Sequence, residues 1–571
     1  MRIFIAILAG VVLLAATGGA LIQVSRAPGR DLAELAPAGP LLVLQARDFA
    51  SLLRDWNNSQ EKKIWLESDT LRAFQQSRLH LRLEEAYQEF ESAAGFSPGM
   101  SMLEQVAGDN AILALYDIGK LEFLYLTRLP SARAVESVLW SSRGNYEPRN
   151  AAGLPYFVKV DPATRRTAAF ASTDDYLAIA TREDLLAGAL SLIAGQTQGS
   201  VTTDAWFEQS VRAAGQAGDL RLVLNFEALG RSPYFRSYWV QRNVAQLKQY
   251  QAGVSDIHRG AKEIREERVF LRSQPAAANA APAVLGEILR LIPEDAGLYR
   301  AWAQPQVETA LDLLERKLLA PRTGPPEPSK SAPAVWLSQG IVGSEADLEV
   351  RIDEEPPARA TAAFAPEALR KILQGTGLEA ALQLQSSRVL DGNVYVTNQS
   401  AVVLLGSADW DGSAARAALL DAVEGLWTAS RLGLRWAERR RNAQEYHELD
   451  GLARLAVAAR GRLLFVSDSA DALLALVERL SSPALPVTGT YAAGFRHARE
   501  RVNFEKMMRL IDYPSVQPPA PGASPEARAP HFFSENLAGL SRALARVESA
   551  SIVAQDAGPL VKQTVTYRLS Q

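Results

Sequence analysis

RTAAFASTDDYLAIATREDLLAGALSLI, residues 166–193, and ARLAVAARGRLLFVSDSADALLALVERL, residues 453–480, follow one pattern. In each, a run of small and apolar residues meets a polar tip, Ser172 to Asp175 or Arg460 to Arg462. The chain then returns as an aliphatic run that ends in Thr181 or Ser467. Acidic residues follow at once, Glu183 and Asp184 or Asp468 and Asp471, and then an apolar helical stretch. A polar tip between two aliphatic runs predicts a β-hairpin. A hydroxyl beside carboxylates predicts an N-capped helix, because short oxygen-bearing side chains satisfy the free N–H groups of a first turn.

Working outward, the likeness between the two halves continues. Leu35 and Pro37 match Leu291 and Pro293, and each pair precedes a strand and then a helix. Strands are predicted at Ala111 to Tyr116 and Phe123 to Leu129, a helix at Ala132 to Trp140 and a strand at Tyr156 to Val160. The second half offers Ala401 to Ser407, a helix at Ser413 to Trp427, and extended runs about Arg439, Arg440 and Arg441. Strands at Leu220 to Asn225 and Tyr491 to Phe495 follow the repeated unit, and both halves close on candidate β pairs. The sequence therefore predicts an α+β protein of two duplicated modules, each a mostly antiparallel sheet with helices packed on one face. The expected boundaries are 1–23 for an apolar leader, 24–34 for a tether, 35–273 for the first module, 274–284 for a linker and 285–571 for the second. Proline-rich loops are expected at 321–333 and 514–530, whose composition cannot form a core.

Composition narrows the class of protein. With 47% apolar and 22% charged residues the chain can bury large cores, and 571 residues call for more than one. A net charge of −3 leaves no basic surplus for phosphate backbones, so nucleic acid is not an expected partner. The absence of cysteine excludes disulfides, thiolate metal sites and a thiol nucleophile. At the start, Ile3 to Ile22 is an uncharged apolar run behind Arg2. A membrane span needs about 20 such residues, and small residues at Gly18 to Ala20 also permit a cleaved signal peptide. Either reading places the bulk of the chain outside the cytoplasm, tethered to or released from a cell membrane.

Known catalytic spacings are missing. The five histidines, His80, His258, His447, His497 and His531, are scattered singly. No His-Glu-x-x-His, calcium loop, phosphate-binding glycine loop or Gly-x-Ser-x-Gly elbow accompanies them. Ser59 and Lys62 have the Ser-x-x-Lys spacing without its companion motifs, so Ser59 reads as a cap. The acid pairs Asp174 with Asp175, Asp409 with Asp411, and Glu266 with Glu267 read as turn, cap and charged strand. No catalytic, metal or cofactor residue is assigned. The most unusual stretch is SPYFRSYWVQRNVAQLKQY, residues 232–250. On a helix begun by Ser232, Tyr234, Tyr238 and Trp239 share a face and Arg242 lies beside them, a combination able to hold a sugar, a lipid head group or a peptide. A packing stripe explains the same spacing.

LRLVLNFEALGRSPYFRSYWVQRN (220–243), DNAILALYDIGKLEFLYLTRLPSARAVESVLW (from Asp109) and the unit at Arg166 together resemble a family of large bacterial envelope proteins. That family is known as a domain of unknown function with an N-terminal membrane segment. The resemblance implies a periplasmic location and an architecture, and transfers no functional residue. The resulting expectation is a non-enzymatic envelope binding or scaffolding protein, including a hydrophobic-ligand carrier, with an envelope protein, lipid or glycan as partner and no cofactor. The alternative is a cell-wall or peptide hydrolase whose site is assembled only in the fold.

Overall fold

A computed structural model describes residues 30–59, 78–97, 99–196, 199–232, 248–274, 284–319, 364–390, 395–427, 434–450, 454–512 and 545–570, with single positions between 62 and 75. The leader at 1–23, the loops at 321–333 and 514–530 and most of the linker lie outside the described residues. The chain forms two compact units.

The first unit is built on β1 (Leu42–Arg47), β2 (Asn110–Asp117), β3 (Glu122–Arg128), β4 (Glu147–Ala151), β5 (Leu154–Val160), β6 (Thr167–Thr173), β7 (Tyr176–Ala180), β8 (Leu220–Asn225), β9 (Tyr250–Arg259) and β10 (Glu263–Arg272). All pair antiparallel, in the order β4-β5-β6-β7-β3-β2-β1-β8-β9-β10. The second unit contains β11 (Leu298–Ala303), β12 (Leu378–Leu390), β13 (Tyr395–Gly406), β14 (Arg435–Arg441), β15 (Gln444–Asp450), β16 (Leu455–Arg460), β17 (Leu463–Ser467), β18 (Tyr491–Phe495) and most of β19 (Val547–Asp556). Its order is β14-β15-β16-β17-β13-β12-β11-β18-β19, again antiparallel throughout.

The last strand, β20 (Leu560–Leu569), belongs to the first unit. It pairs with β10 from Glu263↔Arg568 to Leu271↔Leu560. A second module running unbroken to residue 571 is therefore not what contacts define. A nine-pair antiparallel ladder outweighs closeness in sequence, which a loop of any length can relax at small entropic cost.

Helices cover both faces of each sheet, which corrects the one-faced arrangement expected from sequence. Neighbouring residues of β3, Leu124 and Tyr125, enter different cores, as do Ala169 and Phe170 of β6 and Ala178 and Ile179 of β7. One core is closed by the turn Leu32–Leu35 and a helix at Glu183–Ile193 (here α3), the other by helices α1 (Arg78–Ala94) and α2 (Met100–Val106). The second unit repeats this layering. Phe465 of β17 packs with α4 (Val284–Leu289) and α8 (Ala470–Glu478), whereas its neighbours Leu464 and Val466 pack with α5 (Val307–Leu314), α6 (Glu367–Thr376) and α7 (Gly412–Trp427). The sequence signal was present: LAVAAR and LLFVS do not alternate with polar residues, and a strand apolar on both sides of its pleat must be covered on both.

The hydroxyls of Thr181 and Ser467 also do something other than cap a helix. Thr181 Oγ1 accepts from Phe123 N at 2.8 Å, and Ser467 Oγ donates to Ser400 O at 2.8 Å. Each ties the end of its strand to the neighbouring strand. The cap of α8 is Ser469, which accepts from Ala472 N, and α3 has Arg182 at that position with no side-chain cap.

One ion pair of the first sheet is almost wholly buried. Arg221 and Asp256 face each other across β8 and β9 with side chains 5% and 1% exposed. Arg221 Nε and Nη2 donate to Asp256 Oδ1 and Oδ2, both at 2.8 Å, while Gly218 N donates to Oδ1 and Nη2 also reaches Gly215 O. Gly218 is required there, because a Cβ would fall 2.4 Å from Ile257 O. Removing one partner of such a pair strands the other charge, so Arg221→Met should lower unfolding stability by about 3–5 kcal/mol in urea titrations, and Arg221→Met with Asp256→Leu should recover most of the loss. In the second unit the β14–β15 turn holds Asn442 and Ala443 at φ 51° and 61°, while the β4–β5 turn has Gly153 at its second position. Left-handed backbone costs alanine roughly 1–2 kcal/mol, part of which glycine returns through its freer unfolded chain. Ala443→Gly is expected to raise the thermal midpoint slightly, by about 0.5–1 kcal/mol of stability.

Candidate functional site

At one end of the first sheet, three turns and a helix enclose a polar cavity of about 360 Å3. The topology brings them together. β2 ends at this end and β3 begins there, and β7 runs antiparallel to β3, so Thr181 and Arg182 emerge beside the β2–β3 turn. β6 runs back along β7, so the β5–β6 loop reaches the same place. Helix α1 closes the side with Ala86 and Glu89.

The β5–β6 loop is held by one residue. Asp161, 7% exposed, accepts from Ala163 N at 3.2 Å, Thr164 Oγ1 at 2.7 Å and Ser92 Oγ at 3.2 Å. Its backbone pairs with Arg165 N and Arg166 O. The Thr164 hydroxyl and the Ala163 N–H hold the Asp161 carboxyl below the usual range, so it stays ionised and the loop stays pinned. Arg165 sits at φ 58°, and its guanidinium lines the cavity. Across from it, Lys120 lies in the β2–β3 turn, whose Lys120 N donates to Asp117 Oδ1 at 2.8 Å.

Four cations line the cavity, Lys120, Arg165, Arg166 and Arg182, against two carboxylates, Glu89 and Glu122, an excess of two positive charges. The carboxylates are engaged. Arg182 bridges Glu122 at 2.9 Å and Asp184, and the latter's carboxyl is held low by that guanidinium. Arg166 Nη2 donates to Leu121 O at 3.1 Å and Nη1 lies 3.9 Å from Glu89. Lys120 and Arg165 are exposed and have no carboxylate partner among the described residues. The Thr181 hydroxyl is tied to Phe123 and the Thr164 hydroxyl to Asp161, so the lining presents cationic side chains while these two hydroxyls are engaged in the fold.

The residues singled out in the sequence are placed elsewhere. Tyr234, Tyr238, Trp239 and Arg242 lie outside the described residues; the helix Phe226–Arg231 ends at Ser232, whose N donates to Leu229 O. Ser59 closes the helix Phe49–Asn58 by donating to Trp56 O at 2.8 Å and accepts from Lys62 N, which is a capping role. Asp174 sits at a hairpin tip, and Asp411 caps α7 by accepting from Ser413 N and Ala414 N. Glu266 is sealed by Arg268 at 2.7 Å and Ser255 at 2.6 Å, while Glu267 faces Arg265 and His258 on the other side of β10. Among the described residues no three His, Asp or Glu side chains are placed to hold a metal ion. A second cavity, of about 470 Å3 in the second unit, has Glu308 paired with Arg370 at 3.0 Å and Asp312 paired with Arg316. The cationic cavity escaped sequence reading because Lys120 and Arg165 stand 45 residues apart; the Arg165–Arg166 doublet in a turn was its only local sign.

No protein-family model and no curated protein matches the sequence. Among solved structures, crystal form IV of TP0453 aligns at 8% identity with a TM-score of 0.24, covering 42% of this chain and 79% of that one. Crystal form III of the same protein aligns at 10% identity with a TM-score of 0.24, covering 43% and 80%. Among the described residues no helix is long and apolar enough to cross a membrane.

In the second unit the position that follows β17, as Arg182 follows β7, is Asp468. Its carboxylate accepts from Ser400 N at 2.9 and 3.0 Å, and burial pushes its pKa up to about 6 from 3.8. A carboxyl that binds its proton more tightly folded than unfolded contributes fully to stability below about pH 4 and loses that contribution as pH rises through 6. Asp468→Asn keeps an oxygen acceptor for Ser400 N and has no charge to desolvate. It should be more stable than the parent above pH 6, on the order of 1 kcal/mol because the carboxyl is partly solvated. Denaturant titrations at pH 4, 6 and 8 should show the difference growing with pH.

Proposed function

We propose that this protein is a non-enzymatic binding protein of the bacterial envelope, formed by tandem duplication of one α+β module, and that the cationic cavity of the first unit is its ligand site. The observation that carries the reading is the cavity itself. Its cations converge from three separate turns, its carboxylates are engaged with arginines, and Lys120 and Arg165 remain for a ligand. Support for duplication comes from strand order. Counted from its own first strand, each unit reads 4-5-6-7-3-2-1-8-9, and the leading strands start 256 residues apart, as do Leu35 and Leu291. Such an order is one of very many available to nine strands, and its recurrence favours common descent of the halves. Placement at the membrane rests on the apolar run at residues 3–22 and on the resemblance to envelope proteins with an N-terminal segment.

The carrier version, with an apolar ligand between sheet and helices, finds less support. Phe170, Leu124, Leu186 and Leu190 fill those spaces in the first unit, as Phe465 does in the second. The hydrolase alternative asks for a nucleophile held by a base; the Thr181 hydroxyl is bound to backbone, and the Thr164 hydroxyl donates to an Asp161 carboxylate that also accepts from Ala163 N and Ser92 Oγ and pins the β5–β6 loop.

The full-length protein, extracted gently from membranes and weighed intact, is expected to exceed its denatured mass by a small reproducible increment. Lys120→Ala combined with Arg165→Ala should remove the increment while leaving the melting curve of the ligand-free protein unchanged, since neither side chain has a carboxylate partner among the described residues. A native mass equal to the bare chain before and after substitution would count against the cavity as a ligand site.

A further inference from the structure

The cavity's charge and geometry point to a phosphate group as the feature it recognises, an inference that rests on the cavity being the ligand site. We propose that Lys120 and Arg165 bind a phosphoryl group presented either by a small soluble phosphate ester or by a phospholipid head group.

Three features separate phosphate from other polar ligands. Two of the lining's cations, Lys120 and Arg165, have no carboxylate partner among the described residues, and a phosphate monoester near pH 7 carries about −1.5 to −2. A planar carboxylate is satisfied by one two-pronged guanidinium, as Glu266 is by Arg268 in this same unit. Here a lysine and an arginine arrive from two separate turns, which suits the tetrahedral oxygens of a phosphate better than a plane. The cationic turn is also prepared in advance. Asp161 collects three side-chain and backbone donors, and Arg166 is fixed by Leu121 O, so the Arg165–Arg166 corner is ordered before any ligand arrives.

Size and polarity define the rest of the ligand. A volume of about 360 Å3 is larger than a phosphate needs and leaves room for a sugar- or glycerol-sized group. Apart from Gly119, Ala86 is the one non-polar residue in the wall, which leaves no apolar slot for an acyl chain. A lipid would therefore place only its head group inside. The corresponding junction of the second unit carries Asp468 in place of Arg182, so an anion is disfavoured there and one such site per chain is expected.

Calorimetric titration of the full-length protein in neutral detergent with glycerol 3-phosphate, glycerol and succinate tests the assignment. Binding of glycerol 3-phosphate at one site is expected, weakened about tenfold or more by Lys120→Ala with Arg165→Ala and weakened by added salt. Glycerol should not bind, and succinate should bind at least about tenfold more weakly than the phosphate ester. Co-sedimentation with phosphatidylglycerol and with phosphatidylcholine vesicles then separates the sources, since capture by the former that the double variant abolishes identifies a head group, and its absence identifies the soluble ester. Succinate binding as tightly as glycerol 3-phosphate, with both lost in the double variant, would overturn the phosphate assignment and leave the ligand site standing. Binding of neither, or binding that the double variant leaves intact, would overturn the site as well.

Discussion

A strand whose two pleat faces are both apolar has to be covered twice, and this requirement organises each unit. β6, β7, β16 and β17 direct successive side chains into opposite cores, so helices are needed above and below the sheet. Once both faces are covered, the turns and strand ends are what the sheet offers to water. Groups able to meet a ligand are thereby concentrated at the rim, where the backbone groups left by the ladder and the polar residues of turns lie.

The rim of the first unit is ordered by short-range chemistry. Thr181 fastens the end of β7 to Phe123, and Asp161 gathers the loop that carries Arg165 and Arg166. Acidic side chains near the cavity are drawn into pairs with Arg166 and Arg182, which leaves the positive excess on Lys120 and Arg165. A cationic surface of this kind is maintained because neither residue is recruited by the packing beneath it. The buried pair Arg221–Asp256 shows the opposite case, in which guanidinium and carboxylate meet in two parallel hydrogen bonds inside the sheet.

The edges are also guarded by charge. β4 holds Arg149 against Glu183 in the first turn of α3, and β14 holds Arg441 against Asp471 in the first turn of α8. In both units a guanidinium on an edge strand meets a carboxylate near a helix N-terminus, where negative charge is favoured. Pro148 in β4 and the run of arginines in β14 discourage further strands from adding to these edges.

The sequence by itself determined the elements: the strands Leu220–Asn225 and Tyr491–Phe495, the hairpin at residues 167–180 and its later counterpart follow from local periodicity and turn residues, and the order of elements in the two halves was legible for the same reason. Tertiary structure decided what lies far apart along the chain. β20 pairs with β10 across nearly 300 residues, the second helical layer fills the other face, and Lys120 meets Arg165 only because β2–β3 and β5–β6 turn at the same end of the sheet. Hydrogen-bond ladders and buried faces choose partners by shape and register after collapse, and neither property is written in the residues nearest to each partner.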